Sequence, residues 1–144
     1  MSLAQFAVPG AALILVLGFD QLAKAGAERL LPEAPRPAAS PLRFEVVRND
    51  HAGFGRIAVS RSVRVAVGAL AAAAGITLVL FGGPLSTLSA LGLGMAIGGT
   101  AGNVMDLLTR GHVIDFVSIG RWPTFNLADV ALCCGLAMAA IGLS

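Results

Sequence analysis

The sequence predicts a mostly α-helical membrane protein, four transmembrane helices with a small extramembranous β cap, and three observations carry that expectation. Of its 144 residues 56% are hydrophobic and 12% charged, which leaves too little polar surface to cover a water-soluble fold. No charged residue occurs from Val65 to Met105, a run long enough for two spans of about 20 residues each. Aspartates and asparagines gather at the ends of the apolar stretches instead of being scattered along them.

Taken in order, the first span covers about residues 3–24. No basic residue precedes its apolar core, and Asp20, Lys24 and Glu28 follow it at helical spacing, so it is expected to be a retained span and not a cleaved signal peptide. The charge-free run folds at Phe81-Gly82-Gly83-Pro84 into spans of about 64–82 and 85–106, and a fourth covers about 125–143, all in a single membrane domain, 1–144. Two hydrophilic segments remain, about 25–63 and 107–124, and with two spans between them they share one side of the membrane. Within the longer segment Pro32-Glu33-Ala34-Pro35-Arg36-Pro37 resists helix, whereas Arg43-Phe44-Glu45-Val46-Val47 alternates as a strand does. The cap is expected to be built on that strand and on Ile57-Ala58-Val59. Gly94, Gly98 and Gly102 recur every four residues along the third span, a pattern that lets another helix backbone come close.

Composition also excludes. A net charge of +2 gives no argument for a nucleic-acid partner, and no CxxC, HExxH or phosphate-loop pattern occurs. Cys133 and Cys134 are adjacent inside the last span, where geometry opposes a disulfide between them.

The polar residues are where chemistry is to be sought, because an ionisable side chain at membrane depth costs roughly 2.5 kcal/mol or more and persists when something uses it. Asp20 and Lys24 are i and i+4, one helix face, and suit either a structural pair at the helix end or a pair that orients a ligand. Asn103, Asp106 and Arg110 stand at i, i+3 and i+7, also one face, with Gly111 breaking the helix behind them. Asp115 sits within the apolar Val113-Ile114-Asp115-Phe116-Val117. Asn126 and Asp129 open the fourth span; Asp129 suits a helix cap, but Asn126 or Thr124 is better placed to cap. Two carboxyls brought to one apolar site tend to share a proton, which supplies a general base and an acid that together activate water against a peptide carbonyl.

Five ordered motifs resemble the lipoprotein signal peptidase family, also called signal peptidase II. Asp20-Gln21-Leu22-Ala23-Lys24 is similar to the family's D-Q-x-x-K, and Asn49 to Phe54 to its N-x-G-A-A-F loop. Gly98 to Asp106 resembles G-G-x-x-G-N-x-x-D, Gly111 to Phe116 resembles G-x-V-x-D-F, and Phe125 to Asp129 resembles F-N-x-A-D. The resemblance implies a four-span bacterial aspartyl protease with Asp115 and Asp129 as its catalytic dyad, Asn103 and Asn126 supporting them and the scissile region, and Asp20, Lys24 and Asn49 holding the substrate side; Asp106, in the matching block, and Arg110, by its place on the same helix face, are further binding or supporting candidates. It implies a diacylglyceryl-cysteine prolipoprotein as substrate, cleaved before the modified cysteine, membrane lipid as surroundings, a monomer, and no cofactor or metal.

The chain departs from the family pattern at three places. Leu107 stands where the family has Arg after the third-span Asp, with Arg110 three residues on and able by helical geometry to reach the same face. His51 and Gly53 replace Gly and Ala in the loop motif. All ten Lys and Arg lie from Lys24 to Arg64 or at Arg110 and Arg121, so the positive-inside rule puts the hydrophilic segments in the cytoplasm, whereas the resemblance implies the outer face of the bacterial inner membrane. Two other readings of the same residues are a divergent relative that binds a lipidated ligand and a small proton-coupled transport protein.

Overall fold

The computed structural model describes residues 4–33, 41–49 and 59–143. The elements run α1 (Ala4–Leu30), β1 (Leu42–Asn49), α2 (Arg61–Phe81), α3 (Thr87–Thr109), β2 (Val113–Ile119) and α4 (Leu127–Leu143). The first three helices are long and apolar enough to cross a membrane, and α4, with 17 residues, is a shorter apolar helix at the lower end of spanning length. The mostly helical membrane fold with a small sheet is the one expected.

Sequence explains the helix ends. α1 continues to Leu30, six residues beyond the expected span, because Ala25, Ala27, Glu28 and Arg29 are good helix formers, and Pro32 then stops it. Ser60 and Ser86 cap α2 and α3 by accepting from the backbone N–H groups of Val63 and Ser89. The turn at Gly82 and Gly83 lies where the sequence put it, with Gly83 at φ +86°, and Gly111, at φ +87°, ends α3.

Helix α3 is the centre of the bundle and packs against α1, α2 and α4. Its glycines do what their spacing predicted. A Cβ at Gly98 would lie 2.8 Å from the Leu13 carbonyl of α1, and one at Gly102 would lie 2.6 Å from an Asp20 carboxylate oxygen. Gly92 and Gly99 serve α4 in the same way, so α3 is clasped on two sides at backbone distance.

The cap differs from expectation in its second strand. β1 pairs antiparallel with β2, from Leu42 opposite Ile119 to Asn49 opposite Val113, with an extra residue on β1 between Phe44 and Val47. Val59 is in no strand, and Ile57 and Ala58 lie outside the described residues. The β-branched run around Asp115 took the place because β2 is covered on both faces. Ile114, Asp115 and Phe116 are buried in succession, a pattern without the alternation that marks a half-exposed strand. Residue Phe125 forms a further antiparallel bridge to Val117 and so fastens the start of α4 to the strand that carries Asp115.

Candidate active site

The site is assembled at the C-terminal end of α3 from α1, β1, α3, β2 and the start of α4, and its hinge is Asn126. The backbone of Phe125 and Val117 exchanges two hydrogen bonds of 2.9 and 3.0 Å, which sets Asn126 beside Asp115. Asn126 is the residue just ahead of α4, and its Oδ1 accepts the backbone N–H of Asp129 at 3.0 Å while Asp129 Oδ2 accepts that of Asn126 at 3.2 Å. This reciprocal box fixes both side chains with ordinary capping forces. Asp129 is therefore a partner in the cap as well as a candidate for chemistry.

From that position the fully buried Asn126 amide donates to Asp115 Oδ1 at 2.8 Å, to the Ile114 carbonyl at 3.2 Å and to Asn103 Oδ1 at 3.0 Å. Asn103 in turn donates to Asp129 Oδ1 at 2.8 Å. Asn49, at the end of β1, donates to Asp115 Oδ2 at 2.9 Å. The two aspartates thus come from a strand and a helix to one network of carboxamides. Burial pushes the Asp115 carboxyl up to about 7; the Asn49 hydrogen bond opposes the rise and the negative Asp129 adds to it.

Behind this network lies a second one, charged. Lys24 Nζ sits 2.8 Å from Asp20 Oδ2, 2.7 Å from Asp106 Oδ2 and 3.0 Å from Asn103 Oδ1, and Asp20, Lys24 and Asp106 are all fully buried. Arg110 pairs with Asp106 and also reaches Gln21 Oε1 at 3.1 Å and Glu28 at 3.5 Å. Asp20 Oδ1 accepts the backbone N–H of Ala128 at 2.9 Å, and Asp106 Oδ2 that of Ile114 at 3.3 Å.

All nine residues singled out in the sequence, Asp20, Lys24, Asn49, Asn103, Asp106, Arg110, Asp115, Asn126 and Asp129, fall in these two joined networks. Arg110 does reach the Asp106 face, while Leu107 is buried, 4% exposed. His51 and Gly53 lie outside the described residues. Sequence reasoning missed Gln21, whose amide donates to Asp106 Oδ1 at 3.1 Å and to the Gly102 carbonyl at 3.2 Å. The available signal was a carboxamide in an apolar helix, next to an aspartate and three residues before a lysine. It also missed Glu28 as a partner of Arg110.

Next to the networks is an apolar cavity of about 260 Å³, lined by Trp122, Phe125, Val130, Cys133 and Cys134, with Asp129 in its wall.

Comparison with known proteins gives the family and the fold. The family model for signal peptidase (SPase) II matches residues 12–144. The chain is 35% identical over 125 residues to the lipoprotein signal peptidase of Moorella thermoacetica, covering 85% of this chain and 83% of that one. It is 32% identical over 138 residues to that of Teredinibacter turnerae, covering 90% and 82%. A solved structure titled as a bacterial membrane enzyme determined by the in meso method at 2.3 Å resolution superposes with a TM-score of 0.82 at 20% identity, over 95% of this chain and 87% of that one, a likeness of fold. By the extent of the family match and the identity to full-length relatives, the chain belongs to the signal peptidase II family.

Proposed function

We propose that the protein is an aspartic endopeptidase of the bacterial cytoplasmic membrane that removes the signal peptide from diacylglyceryl-modified prolipoproteins, cutting before the lipidated cysteine. The observation that carries the reading is Asn126, which hydrogen-bonds Asp115 through its amide and the Asp129 backbone through its carbonyl. Membership of the family and the apolar cavity beside Asp129 support it.

In this mechanism the pair holds one proton between them, and we place it at rest on Asp115, which leaves Asp129 as the base. The Asp129 carboxylate takes a proton from a water molecule as its oxygen attacks the scissile carbonyl, and Asp115 gives its proton to the carbonyl oxygen. The tetrahedral diol then collapses: Asp129 gives the proton it took to the leaving nitrogen, Asp115 takes one from a diol hydroxyl, and the C–N bond breaks, which releases an amine and a carboxylic acid and returns the dyad to its starting state. Asn103 and Asn126 hold the carboxyls in place, and the cavity at Trp122, Phe125 and Val130 takes an acyl chain of the substrate. The protein works as a monomer, with all four helices crossing the bilayer in a single domain and the cap and dyad on the outer face, against the bias of its basic residues.

The test is cleavage of a synthetic diacylglyceryl-cysteine lipopeptide by the purified protein beside Asp115→Asn and Asp129→Asn. Turnover by the wild type and none by either variant is expected. Full activity of Asp115→Asn would sink the assignment. A reporter fused after Ser144 tests the orientation, and a cytoplasmic C-terminus is the expected result.

A further inference from the structure

The charged network does no chemistry in that mechanism, yet its two acids touch the site in matching ways. Asp20 Oδ1 accepts the N–H of Ala128, the residue just ahead of Asp129. Asp106 Oδ2 accepts the N–H of Ile114, the residue just ahead of Asp115. Lys24 Nζ joins the two acids, at 2.8 Å from Asp20 and 2.7 Å from Asp106.

Accepting on the proposed function, we infer that Asp20, Lys24 and Asp106 form a clamp that sets the separation of the Asp115 and Asp129 carboxyls by gripping the backbone N–H immediately before each of them.

Three features make the grip a firm one. The Ala128 N–H lies in the first turn of α4, where a helix has no acceptor of its own to offer, and a capping side chain or water commonly serves. Here a carboxylate of another helix serves instead, at 2.9 Å, and the matching Ile114 N–H bond to Asp106 is the longer of the two, at 3.3 Å. Asp20, Lys24 and Asp106 are each fully buried, so no solvent competes for the contacts. Room for Asp20 exists because residue 102 is glycine; a Cβ there would stand 2.6 Å from Asp20 Oδ2. The path from one carboxyl to the other through the clamp therefore runs over fixed links only, Asp129, the Ala128 amide, Asp20, Lys24, Asp106, the Ile114 amide and Asp115. Misplacing reacting groups by about 1 Å costs on the order of 100-fold in rate. These are positioning residues, which act through the backbone and never meet the substrate.

Side chains at position 20 separate this role from a merely structural one. Asp20→Asn keeps an oxygen for the Ala128 N–H and gives up the charge, with Asp106 still present for Lys24, whereas Asp20→Ala gives up both. On the lipopeptide, Asp20→Asn is expected to keep kcat within about fivefold of wild type and Asp20→Ala to lose about 50-fold, with KM within about threefold in both. Equal losses in the two variants, or a loss carried by KM, would overturn the clamp. If Asp20→Ala does not fold, replacing the Leu127–Ala128 amide by an ester, which deletes the N–H and weakens the Leu127 carbonyl as an acceptor, decides beside the same replacement at Val130–Ala131 as a control: about a tenfold fall in kcat at Ala128 beyond the control is expected, and a kcat equal to the control overturns it.

A readout independent of turnover keeps this inference apart from the proposed function. In protein carrying Asp115→Cys and Asp129→Cys with Cys133→Ala and Cys134→Ala, dibromobimane fluoresces once it joins the two thiols. Adding Asp20→Ala is expected to slow that reaction about fivefold. A thiol pair that never joins, or joins at the same rate with and without Asp20, overturns the clamp. Wild-type protein that leaves the lipopeptide uncut, while the joining of thiols still responds to Asp20, overturns the protease reading and leaves the clamp standing.

Discussion

Asp20 and Asp106 are ion-paired with Lys24, and Asp106 also with Arg110, whereas Asp115 and Asp129 accept their side-chain hydrogen bonds from Asn49, Asn126 and Asn103. The four acids lie in adjoining networks, with Asn103 touching both Lys24 and Asp129. Asp20, Lys24 and Asp106 are buried at contact distance of one another, and a pair so enclosed is fixed in place. A carboxamide satisfies an acid's oxygens without a charge of its own. The same residue type is thus set among ion pairs in one region and among neutral donors in the other, where Asp129 is also only half-buried.

The largest effect expected from breaking this contrast is in the neutral network. Asp115→Asn or Asp129→Asn keeps the shape and removes the proton traffic, so kcat on a lipopeptide should fall by about 1,000-fold or more, with KM little changed. Thermal unfolding of the detergent-solubilised variants should remain near that of the wild type. A variant that loses its fold along with its activity would show that these acids are framework after all.

The charged network should answer in the opposite currency, stability before rate. Lys24→Met leaves the fully buried Asp20 and Asp106 facing each other without their shared cation, a loss of about 3–5 kcal/mol when a buried pair is broken. A large fall in the unfolding midpoint is the expected measurement. Arg110→Ala should do much less, about 1 kcal/mol, because Arg110 is half-buried and Asp106 keeps Lys24 and Gln21. An Arg110 variant as unstable as the Lys24 variant would mean that the arginine, not the lysine, is the keystone.

How much of this was legible in the chain follows the range of each interaction. The spans, the Gly83 and Gly111 turns and the pairing of Asp20 with Lys24 rest on neighbours within a turn or two, and sequence displays them. That Asp106 completes the Lys24 site could not be seen, because α1 and α3 meet through glycine contacts whose partner face the spacing leaves open. The second strand of the cap was missed for a related reason. Ile114, Asp115 and Phe116 are buried on both faces, so period-two alternation is absent, and Ile57-Ala58-Val59 looked equally β-prone. The candidate site itself was legible by motif and only partly by physics: the sequence offered Asp129 as a cap, and it is indeed in one, together with Asn126.

The subtlest prediction concerns how the carboxamides tune the acid they touch. Asp115, with its carboxyl pushed up to about 7 by burial, keeps its proton below that pH and loses it above. A pair that works with one proton then loses activity on the alkaline side, and kcat/KM should decline through about pH 7. Stability follows the same group: from the ordinary 3.8 up to about 7 the unfolded chain releases this proton while the native protein retains it, so the contribution to stability falls as pH rises through that window. Asn49 donates 2.9 Å from Asp115 Oδ2 and favours the ionised form. Asn49→Ala removes that donor, so the Asp115 proton is held more firmly and the alkaline limb of kcat/KM should move to higher pH. A limb that moves to lower pH, or does not move, would show that the neutral network holds Asp115 in place without governing its proton.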